Sequence, residues 1–215
     1  MSDRRRTAID RWDGFRGEQR AVIADAIIGI IADQPDHVPT VTDVADAVGI
    51  SRKTYYKYFE DLSGAMVFAQ QRVLARLGEA GAVVPGTASN GRERLLGMFE
   101  SSMLSALKQP ELLRFLSFFD YSFRHRGLTS QQHVSYEASV RASLSDIFDA
   151  FAAGQVDGSI RDDLDPERTL FTMGHSVMGL VQRVMLADPR TLRELGAPAI
   201  RLELEVWRQF LTPTA

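Results

Sequence analysis

Between Ser51 and Tyr58 the chain reads SRKTYYKY, a local concentration of groups that could bind a polyanion. Arg52, Lys53 and Lys57 supply cations with no acid among them, and Ser51, Thr54 and Tyr56 add hydroxyls. Arginine and lysine reach guanine edges or phosphates, while hydroxyl side chains hold phosphate oxygens, so the set suits a DNA major groove. The competing reading is a solvated amphipathic helix. Other chemistries lack their residues. There is no cysteine, no glycine-rich phosphate loop, no nucleophile elbow and no HExxH pair, so the expected catalytic set is empty. His125 and His133 are separated by an expected turn, and His175 lacks the Glu-x-x-His spacing of a di-iron bundle, so neither metal nor cofactor is expected.

The elements that must position these groups are legible around them. Thr40 precedes an apolar run and Asp43 follows three residues later, which predicts a capped helix start with the carboxylate near the positive helix end. Val41, Val44, Ala45 and Val48 then form one stripe of a 3.6-residue period. Gly49 ends the helix, because glycine takes the left-handed conformation at least cost. Ile50 plugs the turn, and Ser51 caps a second helix whose Tyr55, Tyr58 and Phe59 turn inward. Two short helices meeting at a glycine turn make a helix-turn-helix. Arg52, Lys53, Thr54, Tyr56 and Lys57 are left on its outer face.

The run TVTDVADAVGISRKTYYKYFEDLSGAM resembles the DNA-binding signature of the TetR family of bacterial transcriptional regulators. The likeness covers roughly residues 20 to 68; beyond that, length and helical layout agree. It implies DNA contacts from Thr40, Ser51, Arg52, Lys53, Thr54, Tyr56 and Lys57, and Thr42 joins them as a candidate at the start of the first helix. Two positions depart from the family pattern. Lys53 stands where glycine is frequent, which alters the expected sequence preference. Leu62 stands where the family often has a phosphate-binding lysine, which removes that contact.

With 215 residues, 45% of them hydrophobic and 25% charged, the chain can hold a small domain joined to a larger one. A formal net charge of -3 confines DNA binding to a local basic face and makes it salt-dependent. No 18-residue apolar run and no signal-peptide core occur, and with the absence of cysteine this predicts a cytoplasmic protein without a membrane partner. Residues 1–14 are expected to form a mobile basic arm carrying Arg4, Arg5 and Arg6; a solvated terminus is its first reading and minor-groove insertion its second.

The helix-turn-helix domain is expected over 15–60. A first helix from Phe15 to about Asp33, buried on more than one side, braces it, and His37 falls in the following loop. The rest, 61–215, reads as a helical domain for effector binding and dimerisation, so the fold class is all-α. A fourth helix is expected over Asp61–Glu79 and a loop over Gly81–Gly91. Further helices are expected over Arg92–Lys108, Pro110–Arg126, Ser130–Gln155, Pro166–Leu186 and Pro189–Leu211, three of them with proline in the first turn.

Leu112–His125 is the aromatic centre of the chain, and core packing is the default for such a stripe. The resemblance implies an effector pocket among these helices, with Met103, Phe115, Phe119, Tyr121, Phe123, Tyr136, His175 and Met178 as candidate walls for a hydrophobic or aromatic small molecule. The last two helices carry small residues (Gly174, Ser176, Gly179) and a terminal apolar series. They could complete the monomer core or pair with a second copy, and the resemblance implies a homodimer through them. Together these expectations describe a repressor released from a palindromic operator by an effector. The alternative is a DNA-binding dimer without a small-molecule ligand, regulated by a protein partner.

Overall fold

The computed structural model describes residues 2–34, 36–82, 88–123 and 128–213; for 2–13, Ala82, Phe123 and Pro189 the description is of the backbone. The described residues form α-helices without a strand, α1 (Ser2–Asp33), α2 (Val41–Val48), α3 (Arg52–Tyr55), α4 (Leu62–Ala82), α5 (Gly91–Leu107), α6 (Pro110–Phe118), α7 (Ser130–Ser143), α8 (Ser145–Val156), α9 (Pro166–Val184) and α10 (Pro189–Leu211). One compact unit comprises the chain up to Val73 together with Arg114–Tyr136, and a second comprises Leu74–Leu113 and the chain from Glu137.

In the first unit, Ile23, Ile27 and Ile31 of α1 are fully buried, with Ala24, Ile28 and Ala32 beside them. Burying each isoleucine stabilises the fold by roughly 2 kcal/mol. They occupy one half of the helix circumference. Val22 and Gly29 face outward or sideways, so the helix is not wrapped as its apolar density suggests. The backbone of 2–13 continues α1 where an arm is expected. No proline or glycine precedes Gly14, and adding a residue to an existing helix is far easier than nucleating one.

Two expected helices are interrupted. The segment from Pro110 gives α6 and then a π-helical turn over Phe119–Phe123. A π turn adds a residue to the helical ladder and rotates the side chains beyond it. The expected Ser130–Gln155 helix breaks at Leu144 between α7 and α8. There Ser143 Oγ donates to the Ser139 carbonyl (2.9 Å) and Ser145 Oγ to the Ala142 carbonyl (3.0 Å). Such back-bonding competes with the backbone ladder.

The second unit is built on α5, which packs against α8, α9 and α10. Gly91 is needed where α5 starts, because a Cβ there would overlap the backbone of Gly154 in α8. Asp157 Oδ2 accepts the Gly91 amide (2.7 Å) and Ser159 Oγ the Arg92 amide (3.1 Å), satisfying two donors at the start of the helix. Asp165 and Asp188 cap α9 and α10, each followed by proline in the first turn.

Candidate nucleic-acid interface

The α2–turn–α3 unit forms with the caps its sequence prescribes. Thr40 caps α2 in extended geometry, its Oγ1 accepting the Asp43 amide at 3.2 Å. Asp43 Oδ2 returns the bond, accepting the Thr40 amide and the Thr40 hydroxyl, both at 2.7 Å. His37 Nε2 lies 3.0 Å from the same oxygen, so the loop histidine steadies the capping box. Hydrogen bonds from Thr40, then from His37, hold the Asp43 carboxyl below its ordinary pKa. Gly49 has φ +73°, and the Ile50 amide donates to the Ala45 carbonyl at 2.9 Å, closing the helix end.

Ser51 caps α3, accepting the Thr54 amide at 3.1 Å, and its hydroxyl lies 2.9 Å from the Thr54 hydroxyl. The helix has four residues and continues as turns through Tyr58, shorter than the expected run. Tyr55 anchors it from below. Its ring is fully buried, its hydroxyl donates to the Asp61 carbonyl (3.3 Å), and burial, with Asp61 adding to it, pushes the phenol far up from its ordinary pKa. A neutral phenol is the form that can donate there. Tyr56 stands edge-on to Tyr55 at 5.6 Å and is 47% exposed.

The eight predicted DNA-contact residues lie on the N-cap and first turn of α2, on the N-cap and body of α3, and on the turn that follows it. Thr42, Arg52, Lys53, Tyr56 and Lys57 are exposed, Ser51 is exposed but bonded to Thr54, and Thr54 is half-buried. Thr40 is exposed, with its hydroxyl proton directed to Asp43. A phosphate contact from Thr40 requires that bond to turn. Sequence reasoning passed over Arg16, which donates from Nη2 to the Lys57 carbonyl at 3.4 Å. Its signal was the Arg16/Arg20 pair, one helical turn apart on α1.

The predicted ligand walls divide between the two units. In the first unit Phe115 and Phe119 stack at 6.0 Å, and Phe119 meets Tyr136 at 5.5 Å, all three buried. Tyr121 is 88% exposed, on the side of the helix away from Phe115 and Phe119, where an ordinary helical period also places it. The side chain of Phe123 lies outside the described residues. Met103 and Met178 belong to the second unit, buried and half-buried. His175, also there, is exposed, its ring over Phe171 at 4.0 Å and its Nδ1 2.8 Å from the Phe171 carbonyl.

Within the second unit a groove of about 840 Å³ runs along α5 and α10. Its charges neutralise one another. Arg201 Nε meets Glu100 at 2.8 Å, Arg208 bridges Glu93 and Glu205, and Arg92 Nε meets Glu93 at 3.3 Å. Burial pushes the Glu93 carboxyl up, but the bond and charge from Arg208 and then Arg92 outweigh it and leave the pKa lowered. None of the predicted walls lines this groove. On another side of α10, Leu195, Leu202, Val206 and Phe210 are exposed along one stripe, and Phe171 of α9 is exposed too. Nothing lies within 4 Å of a Cβ placed at Gly174 or Gly179.

Over nearly its whole length the fold superposes on solved bacterial regulators. A TetR family transcription regulator from Marinobacter aquaeolei is 20% identical, with 95% of this chain and all of that one covered and a TM-score of 0.69. The chain has the TetR fold. The fatty acid degradation regulator FadR from Bacillus halodurans matches at 18% identity and a TM-score of 0.68, covering 86% of this chain and 97% of that one. The ketosteroid transcriptional regulator of Mycobacterium tuberculosis matches at 18% identity and a TM-score of 0.62, covering 91% and 96%. No protein-family model matches the sequence, and no curated protein matches it. Within the TetR fold α2 and α3 are the helix-turn-helix, and no described helix is long and apolar enough to cross a membrane.

Proposed function

We propose that this protein is a sequence-specific DNA-binding transcriptional regulator that reads a palindromic operator as a homodimer. The observation that carries the reading is the capped turn that presents Arg52, Lys53, Tyr56 and Lys57 outward from a buried Tyr55. One such turn reaches only a few base pairs. Two related by a two-fold axis read half-sites at a fixed spacing. The exposed apolar stripe of α10, with the uncovered glycines of α9, supports pairing through these two helices.

Release by a hydrophobic or aromatic effector completes the proposal, with repression as the mode. Gln70 of α4 supports a ligand, being 2% exposed with its carbonyl oxygen buried and unpartnered. An effector that binds better when the two reading heads are displaced lowers DNA affinity by the factor by which DNA lowers its own. The second reading, a dimer answering to a protein partner, draws support from the filled Phe115–Phe119–Tyr136 cluster.

Selection of random duplex DNA by the purified protein at moderate salt tests the reading. Enrichment of a palindrome bound by a dimer is expected. Weak, salt-sensitive binding without enrichment would reduce α3 to a basic surface.

A further inference from the structure

We propose that Arg20, whose guanidinium lies over the rings of Phe59 and Phe68, is a positioning residue for sequence recognition, a cationic joint clamped between the end of the recognition segment and α4. The proposal rests on the DNA-binding reading above. The Arg20 guanidinium carbon lies 4.7 Å from the ring centre of Phe59 and 4.4 Å from that of Phe68. Phe59 closes the turn after Lys57, and Phe68 lies in the second turn of α4. The two rings are 5.7 Å apart and tilted by 55°, so both present π-density to one cation.

Arg20 carries little else that could account for its burial. Its Nε is buried without a hydrogen-bond partner. Burial, and then the nearby Arg16 cation, press its pKa below the ordinary arginine value, which marks a charge held against desolvation. The ring faces are what compensates it. An aliphatic residue would fill the same gap without that cost, so the cation is informative.

Three contacts give the joint its direction. One turn before Arg20, Arg16 donates to the Lys57 carbonyl. About one turn after it, Asp25 accepts two bonds from Arg72 of α4, at 3.2 and 3.1 Å. Phe59 in turn packs on Tyr55, with ring centres 6.0 Å apart. Helix α1 thus grips the recognition segment at one point and α4 at another, and Arg20 alone among these touches both. A displacement of α4 that moved Phe68 would carry the cation and, through Phe59, the base of the reading turn. The structure joins α4, which carries Gln70, to the element proposed to read bases.

The test uses the full chain and two probes: a duplex enriched from a random pool by the unaltered protein, and a scrambled duplex of the same length. Arg20→Met keeps the stem and removes the cation; Arg20→Lys keeps a cation that can lie on one ring. Arg20→Met is expected to lose about tenfold in affinity for the enriched duplex, from a cation–π contact of this size. Its affinity for the scrambled duplex, its salt slope and its dimer mass should be unchanged, because Arg20 meets no phosphate. Arg20→Lys should recover most of the loss. Equal affinity of Arg20→Met and the unaltered protein for the enriched duplex would overturn the proposal, as would parallel losses on both probes or a lysine variant as weak as the methionine one. Should Arg20→Met fail to fold, Phe68→Leu removes one ring and leaves the charge, and it must weaken enriched-duplex binding severalfold or the joint is refuted. If the unaltered protein enriches no duplex, the DNA-binding reading itself falls and takes the joint with it.

Discussion

Gln70→Met decides whether the interior of the first unit is arranged for a ligand or for itself. Gln70 is 2% exposed on α4, between fully buried Ala69 and the buried Met66 and Val73 a turn away on either side. Its carbonyl oxygen has no partner. A buried acceptor left unsatisfied costs about 1–3 kcal/mol. Methionine is unbranched and close in volume, so it fills the site without overpacking and without the polar atom. A gain of about 1–2 kcal/mol is expected. For a chain of this length that raises Tm by about 2–8 °C. Thermal unfolding followed by circular dichroism, at one fixed protein concentration because a dimer's stability depends on it, measures the gain. A lowered Tm would refute the reasoning, since it would mean that the oxygen is bonded in solution. The same variant separates the two functional readings. If Gln70 anchors an effector, Gln70→Met holds its operator in the presence of compounds that release the unaltered protein; if the core is filled, the two respond alike.

Lys57→Ala is expected to weaken operator binding about tenfold with the dimer intact, and to flatten the log–log salt dependence by about two, one phosphate per subunit, as read by titrations at several salt concentrations; an unchanged slope would take Lys57 off the phosphates. Leu202→Glu puts a charge on the exposed stripe proposed to pair with a second copy, so sedimentation should show a monomer that binds the operator more than a hundredfold less well, while a surviving dimer would remove α10 from the proposed interface. The depressed pKa of Asp43 means that its ionised form favours the folded state: this contribution is present above the ordinary carboxylate range near pH 4 and is lost as pH falls through the lowered folded value. Asp43→Asn should therefore lower stability at neutral pH and make the acid limb of the stability profile shallower, and an identical limb in denaturant titrations from pH 6 to pH 2 would refute the assignment.

What was legible in the sequence is what is decided within a few residues. Thr40 and Asp43 stand three apart, Gly49 follows the last residue of an apolar stripe, and Ser51 precedes Thr54 by three; each forms the cap its spacing prescribes. Helix α10 runs over the expected Pro189–Leu211 for the same reason, with Asp188 and Pro189 fixing its start. The break at Leu144 was hidden, because whether Ser143 and Ser145 turn back onto carbonyls or outward to water is settled by packing rather than by residue type. Tyr121 lies off the Leu112–Phe115–Phe119 stripe by helical period alone, and whether a neighbour covers that side is settled by tertiary packing, which leaves it exposed.

The residues most easily missed were those whose partners lie far off in the chain. Sequence reasoning passed over Arg16 and Arg20, and only the fold brings Lys57, Phe59 and Phe68 to them. This asymmetry has a functional consequence. The groups that would touch DNA lie on caps and turns that the local sequence specifies, so their geometry should survive changes elsewhere in the chain. The groups that would adjust the reading turn depend on tertiary contacts between α1, the recognition segment and α4, whose strength varies with small displacements. A regulator needs both properties, a reading surface that is fixed and a mounting that can be moved. On the proposed function, the first is encoded between Thr40 and Lys57, and the second by the arginines of α1.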